Sequence, residues 1–242
     1  MKEYQPLNAL KRIAPDLWIV DGPNVRFFRM PFPTRMAVIR LRNGDLFLHS
    51  PTHLTDQLAA EVAAQGSVRH LVSPNSLHYV SIAEWARAFP DAMAWASRNV
   101  RSRAANSAVT LHFDRDLGEE PAPDWVADID QLIVHGSRAH EEVVFFHRSS
   151  KTLILTDLVE NFERSHVSWW FQWVAWMGGV LDPHGGMPKD MRLTFRGGRL
   201  ELRGAVQRML AWEPQRVILA HGRWYPTNGV DELQRAFRWV LQ

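Results

Sequence analysis

A chain of 242 residues, 46% of them hydrophobic, is long enough to bury a substantial core, and it reads as a single domain over residues 1–242. Its 28 Lys and Arg against 26 Asp and Glu are scattered without a basic run of the kind that tracks phosphates, so no nucleic-acid partner is expected. Cysteine is absent, which excludes disulfides, thiolate metal sites and a cysteine nucleophile and leaves His, Asp and Glu as metal ligands.

The first residues, Met1 to Pro6, lack the apolar core of a signal peptide, and no apolar run nears the ~20 residues that cross a bilayer. The expectation is a cytoplasmic protein with no membrane partner. Leu17–Val20, Arg35–Leu41 and Leu46–His49 read as strands, with Asn43-Gly44 as the hairpin turn between the last two. Thr55 can cap a helix running to about Gln65, Val68–Ser73 returns as a strand, Ser81–Phe89 is helical and Ala92–Ala96 is a short strand. Arg98–Asp130, stiffened by Pro121-Ala-Pro123, reads as irregular.

The second half repeats the pattern. Gln131–Val134, Val143–His147 and Leu153–Thr156 read as strands, Arg199–Trp212 as a helix, Arg216–Ala220 as a strand and Asp231–Leu241 as a closing helix. A meander followed by βα units occurs twice, and two such halves predict layers of helix, sheet, sheet and helix.

Several of these strands stop at a polar residue able to bind a metal: His49, His78 beyond Ser73, Asp157 and His221. Groups just beyond buried strands are where α/β proteins build their sites.

The segments Leu17-Trp-Ile-Val-Asp-Gly22, Thr34–Leu41, Leu48-His-Ser-Pro51, Ser73-Pro-Asn-Ser-Leu-His78, Glu142–His147, Thr152–Asp157 and Ala220-His-Gly222 follow one another in a familiar order and spacing. In them the chain resembles the metallo-β-lactamase superfamily, and within it the branch defined as domain of unknown function 4336. The resemblance covers about Ile13 to Val240 and implies an α/β fold, the four-layer αββα sandwich.

It also implies a site, and there the chain departs from the pattern. Members of the superfamily carry His-x-His-x-Asp-His after a strand, a loop that grips two zinc ions. Here Pro74, Ser76, His78 and Tyr79 stand at those four positions. The later histidine falls near Arg138, with His140 two residues away, whereas Asp157 matches the bridging aspartate and His221 the final histidine. His49 stands where the fold usually has an aspartate.

The metal candidates implied are therefore His49, His78, His140, Asp157 and His221, with Asp157 and His78 as catalytic residues. Such a set suits one zinc, iron or manganese ion with an open position, or no ion at all if the site has been abandoned. Asn75 and Thr156 are further candidates, to hydrogen-bond a substrate oxygen. Each residue also has a plainer reading: a histidine ending a strand as a packing residue, Asp157 as a backbone cap, and Gly222 as the reason for a sharp turn at His221.

Trp169, Trp170, Trp173 and Trp176 fall at helical spacing, which predicts an aromatic face packed on the sheet or on its twin in a homodimer. The alternative is an apolar wall or lid beside Asp157. His184, in a Pro/Gly-rich loop, is a candidate to swing into the site, and Arg35 and Arg40 are candidates either for an acidic substrate group or for ion pairs. The leading expectation is a metal-dependent hydrolase of a small-molecule ester, thioester, lactone or phosphodiester. The competing one is a non-catalytic binding or scaffold protein that kept the fold and lost the metal.

Overall fold

Buried apolar runs become strands and capped amphipathic runs become helices along most of this chain. The computed structural model describes residues 1–27, 30–106 and 111–242, and these fall into two compact units: Glu3–Asp128, and Ile129–Gln242 together with Met1–Lys2.

The N-terminal unit contains β1 (Lys11–Ala14), β2 (Leu17–Phe27), β3 (Met30–Arg40), β4 (Asp45–His49), α1 (Asp56–Ala63), β5 (Ser67–Ser73), α2 (Ile82–Ala88), β6 (Met93–Ala96), α3 (Val100–Ala105) and β7 (Arg115–Asp116). They form a seven-stranded sheet in sequence order, antiparallel through β4 and parallel from β4 to β7. The turn at Asn43-Gly44 forms as expected: Gly44 adopts φ +87, and Asn43 Oδ1 accepts from Asp45 N–H. Thr55 caps α1 by accepting from Leu58 N–H.

Two differences from the sequence reading have local causes. β2 runs on past Val20 because its register with β3 shifts between Gly22 and Val25, and that bulge accommodates Pro23, which has no N–H for the ladder. The Arg98–Asp130 stretch is not wholly irregular, since α3 and β7 lie within it; its residues 107–110 are outside those described.

The C-terminal unit contains β8 (Ile129–Val134), β9 (Glu142–His147), β10 (Thr152–Ile154), a 3₁₀ turn (Arg164–His166), α4 (Trp169–Gly178), α5 (Lys189–Thr194), α6 (Arg199–Ala211), β11 (Arg216–Ile218), α7 (Gly229–Ala236) and α8 (Arg238–Leu241). Its sheet has the order β11-β10-β9-β8, antiparallel except for β10 and β11. The expected closing helix is broken at Phe237, which is fully buried; the bend between α7 and α8 sends Phe237 and Val240 into the same core as Leu202, Val206 and Met209. No helix among the described residues is long and apolar enough to cross a membrane.

The N-terminal core contains one titratable residue with a defined tautomer. His70 on β5 is buried, and its Nδ1 accepts from Trp95 Nε1 at 3.2 Å, so the proton of the neutral ring sits on Nε2. Burial is the main cause of its lowered pKa. The folded pKa thus lies below the ordinary value of 6.5, and the unfolded chain takes up the proton first as the pH drops. Stability should fall from about pH 6.5 downward, by up to ~1.4 kcal/mol per pH unit from this group, until the folded pKa is reached. Urea unfolding of the wild type and His70→Gln across this range checks it: the variant, which keeps an acceptor for Trp95, should show a shallower slope. Equal slopes would refute the assignment.

Candidate metal centre

Strand register brings the key residues of the C-terminal unit to one sheet edge. β10 and β11 pair Ile154 with Ile218, and β9 pairs Phe145 with Ile154. Asp157 lies three residues past Ile154, His221 three past Ile218 and Glu142 three before Phe145, so all three emerge beyond the same row.

Glu142 organises that edge. Its side chain is fully buried; Oε1 accepts from Thr156 N–H at 2.7 Å, and Oε2 accepts from Asp157 N–H at 2.8 Å and Leu158 N–H at 3.1 Å. These N–H groups belong to the turn where β10 leaves the ladder, and a buried carboxylate is what keeps them from being orphaned. His140 Nε2 lies 3.4 Å from the same Oε2.

Asp157 is buried, and its Oδ1 is 3.0 Å from His221 Nε2. Ligand atoms of His140, Glu142 and Asp157 all lie within 4.8 Å of one another. Asp157 is therefore common to both imidazoles. With the Glu142 oxygens engaged by the backbone, the donors suited to an ion in this unit are His140, Asp157 and His221. Two imidazoles and a carboxylate without sulfur fit zinc, iron or manganese.

Lost hydration opposes a charge on His140, but its hydrogen bond to Glu142 and the carboxylates of Asp157, Glu142 and Glu141 outweigh that and raise its pKa. Glu160 retains some exposed surface, yet lost hydration pushes its carboxyl up to about 7. His221 and His140 pull it down, while Asp157 and Asp190 push it further up.

The turn that presents His221 is tied to the segment after Asp157. Asn161 N–H donates to His221 O, Asn161 O accepts from Arg223 N–H, and the Asn161 side chain reaches Asp182, Gly185 and Arg223. Gly222 follows at φ +86, and a Cβ there would stand 2.1 Å from Asn161 O, so only glycine fits.

In the N-terminal unit His49 ends β4, buried, with its pKa lowered to about 3 by burial first and by neighbouring His78 second. Ser50, at φ +54, sets its Oγ 2.6 Å from His78 Nδ1. The departures from the family loop have structural uses here. Tyr79 packs in the core, and Asn75 Oδ1 accepts from Leu77 and His78 N–H to close the turn.

The structure thus brings His140, Asp157 and His221 together in one unit and sets His49 beside His78 in the other. Asn75 and Thr156, expected as substrate contacts, are instead fully buried, one closing its turn and the other held by Glu142. Arg35 and Arg40 pair with Asp21 and Asp16, which favours the ion-pair reading over acidic-substrate recognition. His184 stays exposed in its loop. Sequence reasoning missed Glu142, Glu160 and Asn161; the available signal for Glu142 was a charge heading the wholly buried run Glu142–His147.

The fold is that of the metallo-β-lactamases. DIM-1 metallo-beta-lactamase exposed to ceftazidime superimposes at TM-score 0.64 with 15% identity, covering 99% of this chain and 97% of that one. FIM-1 from Pseudomonas aeruginosa, in a mono-zinc form, gives 0.62 at 13% identity, covering 100% and 98%. The metal-soaked Flv1 flavodiiron core from Synechocystis sp. PCC6803 gives 0.62 at 13% identity, covering 96% of this chain and 60% of that one. By sequence, residues 16–170 match the Domain of unknown function (DUF4336), and the chain belongs to that family. No curated protein matches it in sequence.

Glu142→Gln tests the organising role directly. An amide must turn its NH₂ toward backbone N–H groups, so a loss of about 2–3 kcal/mol in unfolding free energy is expected by chemical denaturation. A loss below ~0.5 kcal/mol would show that the turn at Thr156–Leu158 does not depend on the carboxylate.

Proposed function

We propose that this protein is a metal-dependent hydrolase of a small-molecule ester, thioester, lactone or phosphodiester. The observation that carries the reading is the convergence of His140 and His221 on the Asp157 carboxylate, on a turn held rigidly by Glu142. The fold of DIM-1 and of the mono-zinc FIM-1 supports it as context.

His140, Asp157 and His221 would hold one zinc, iron or manganese ion. The chemistry such an ion supplies is Lewis acidity toward a carbonyl or phosphoryl oxygen and a water made nucleophilic near neutral pH. The chain's own residues would do the positioning. Glu142 fixes the Asp157 backbone, and that sets the Asp157 carboxylate beside His221 Nε2, where both could face one ion. Asp157, acting at its carboxylate, is the proposed catalytic acceptor of a proton from water. His78 is also proposed as catalytic, with His49 beside it, on the family resemblance.

The second reading, a binding or scaffold protein without metal, is favoured by one observation. Positions that would carry ligands in the family loop are filled by Pro74 and Tyr79, both buried, with Tyr79 packed in the core.

Elemental analysis of protein purified without added metal or chelator separates the two. About one transition-metal ion per chain is expected, falling close to zero in Asp157→Ala and His221→Ala while circular dichroism stays unchanged. A metal-free wild type that also fails to bind added zinc, iron(II) or manganese by calorimetry would sink the hydrolase reading and leave the scaffold.

A further inference from the structure

The face of α4 is open where a face so apolar is ordinarily covered. Trp169, Trp170, Trp173 and Trp176 are 76, 47, 63 and 60% exposed, and Val174 and Met177 are exposed beside them. About half or more of each indole surface stays open. The helix is held from one side only: Phe171 and Ala175 are its buried residues, and Phe171 meets Phe162 edge-on at 5.4 Å. Gly179, at φ +74, ends it. A ten-residue helix with two buried side chains is marginal by itself, since short helices take their stability from packing.

We propose that this face is the interface of a homodimer, in which α4 of one protomer packs against α4 of a second copy about a two-fold axis. Three observations select a second copy as the occupant. The first is area. Whole aromatic side chains bury 150–250 Å² each, so these four indoles leave on the order of 500 Å² open, and Val174 and Met177 bring the patch to roughly 600–700 Å². That is above the usual largest apolar patch of a monomer and close to the ~800 Å² per partner of a standard interface.

The second is charge. The ten residues of α4 carry none, and its single polar side chain, Gln172, turns back to donate to Arg164 O at 3.0 Å. A neutral surface can meet its own copy without like-charge repulsion, as an isologous contact demands. A lipid surface would instead be met by a basic polar face, which this helix lacks. The third is composition: Trp and Met are the side chains enriched at interface centres, and tryptophan is the commonest hot-spot residue. Trp173 and Trp176 already sit edge to face, with centroids 5.9 Å apart, so their indoles are preset for contact.

The proposal is independent of the metal reading, and its test does not use metal. Sedimentation velocity of the full chain from low to high micromolar concentration should show a reversible dimer. Trp173→Glu should raise the dimer dissociation constant at least about 30-fold. Trp173→Gln, which removes the indole without adding charge, should weaken the dimer in the same direction. Leu200→Glu, at an exposed position on α6, should leave the dimer unchanged. Circular dichroism monitors the fold, and acrylamide quenching of tryptophan should rise on dilution. A monomer at every concentration would overturn the proposal, as would a dimer indifferent to both Trp173 variants. A monomer that co-sediments with vesicles containing anionic lipid would overturn it in favour of a membrane surface.

Discussion

The C-terminal unit depends on one buried carboxylate. A strand end inside a protein is a liability: where β10 stops pairing, three consecutive N–H groups, those of Thr156, Asp157 and Leu158, lose their ladder partners and have no water to turn to. Glu142 answers all three. The energy that holds Glu142 in a site without water comes from these charge-assisted bonds, and the bonds in turn fix the backbone that aims Asp157. Stability and site geometry therefore share one interaction. Because β9 begins at Glu142 and His221 follows three residues after β11, the strand register relates that fixed point to the other candidate ligand.

A similar economy runs through the segment that follows. Asn161 spends its main chain and its side chain on the turns at His221, Arg223, Asp182 and Gly185, so the approach to the site is braced by a side chain with no metal-ligating role. In the N-terminal unit the loop after β5 shows the reverse. Tyr79 and Asn75 occupy a region that the superfamily devotes to metal ligands, and both have been turned to packing and turn closure. In the C-terminal unit the candidate donors gather around a shared carboxylate, that of Asp157.

Much of this was legible in the sequence, for identifiable reasons. Buried strands announce themselves as short apolar runs, so the ends at His49, Asp157 and His221 could be read from where those runs stop. Asn43-Gly44 and Thr55 were readable because a left-handed turn and a helix cap each demand a narrow set of side chains. Glu142 was only faintly so: a charge heading an apolar run marks it, but its partners are backbone groups beyond another strand, which no local pattern names. The break at Phe237 was hidden for a related reason: the apolar spacing continues through it, and only the position of the core decides that the chain must bend there. His140 and Asp157 lie far enough apart in sequence that their approach follows from the pairing of β9 with β10, not from any motif.

Helix α4 marks the boundary between what periodicity determines and what it leaves open. Spacing of three and four residues places Trp169, Trp173 and Trp176 on one face, and it says nothing about which face turns inward. The deciding step is volume. Phe162 meets the ring of Phe171 edge-on, and Ala175, one turn further on, is buried with it. That choice turns the larger indoles outward, against the ordinary direction of the hydrophobic effect. Helix α4 thus leaves four indoles exposed while it buries Phe171 and Ala175. An apolar face of this size is what the proposed contact between two copies would cover.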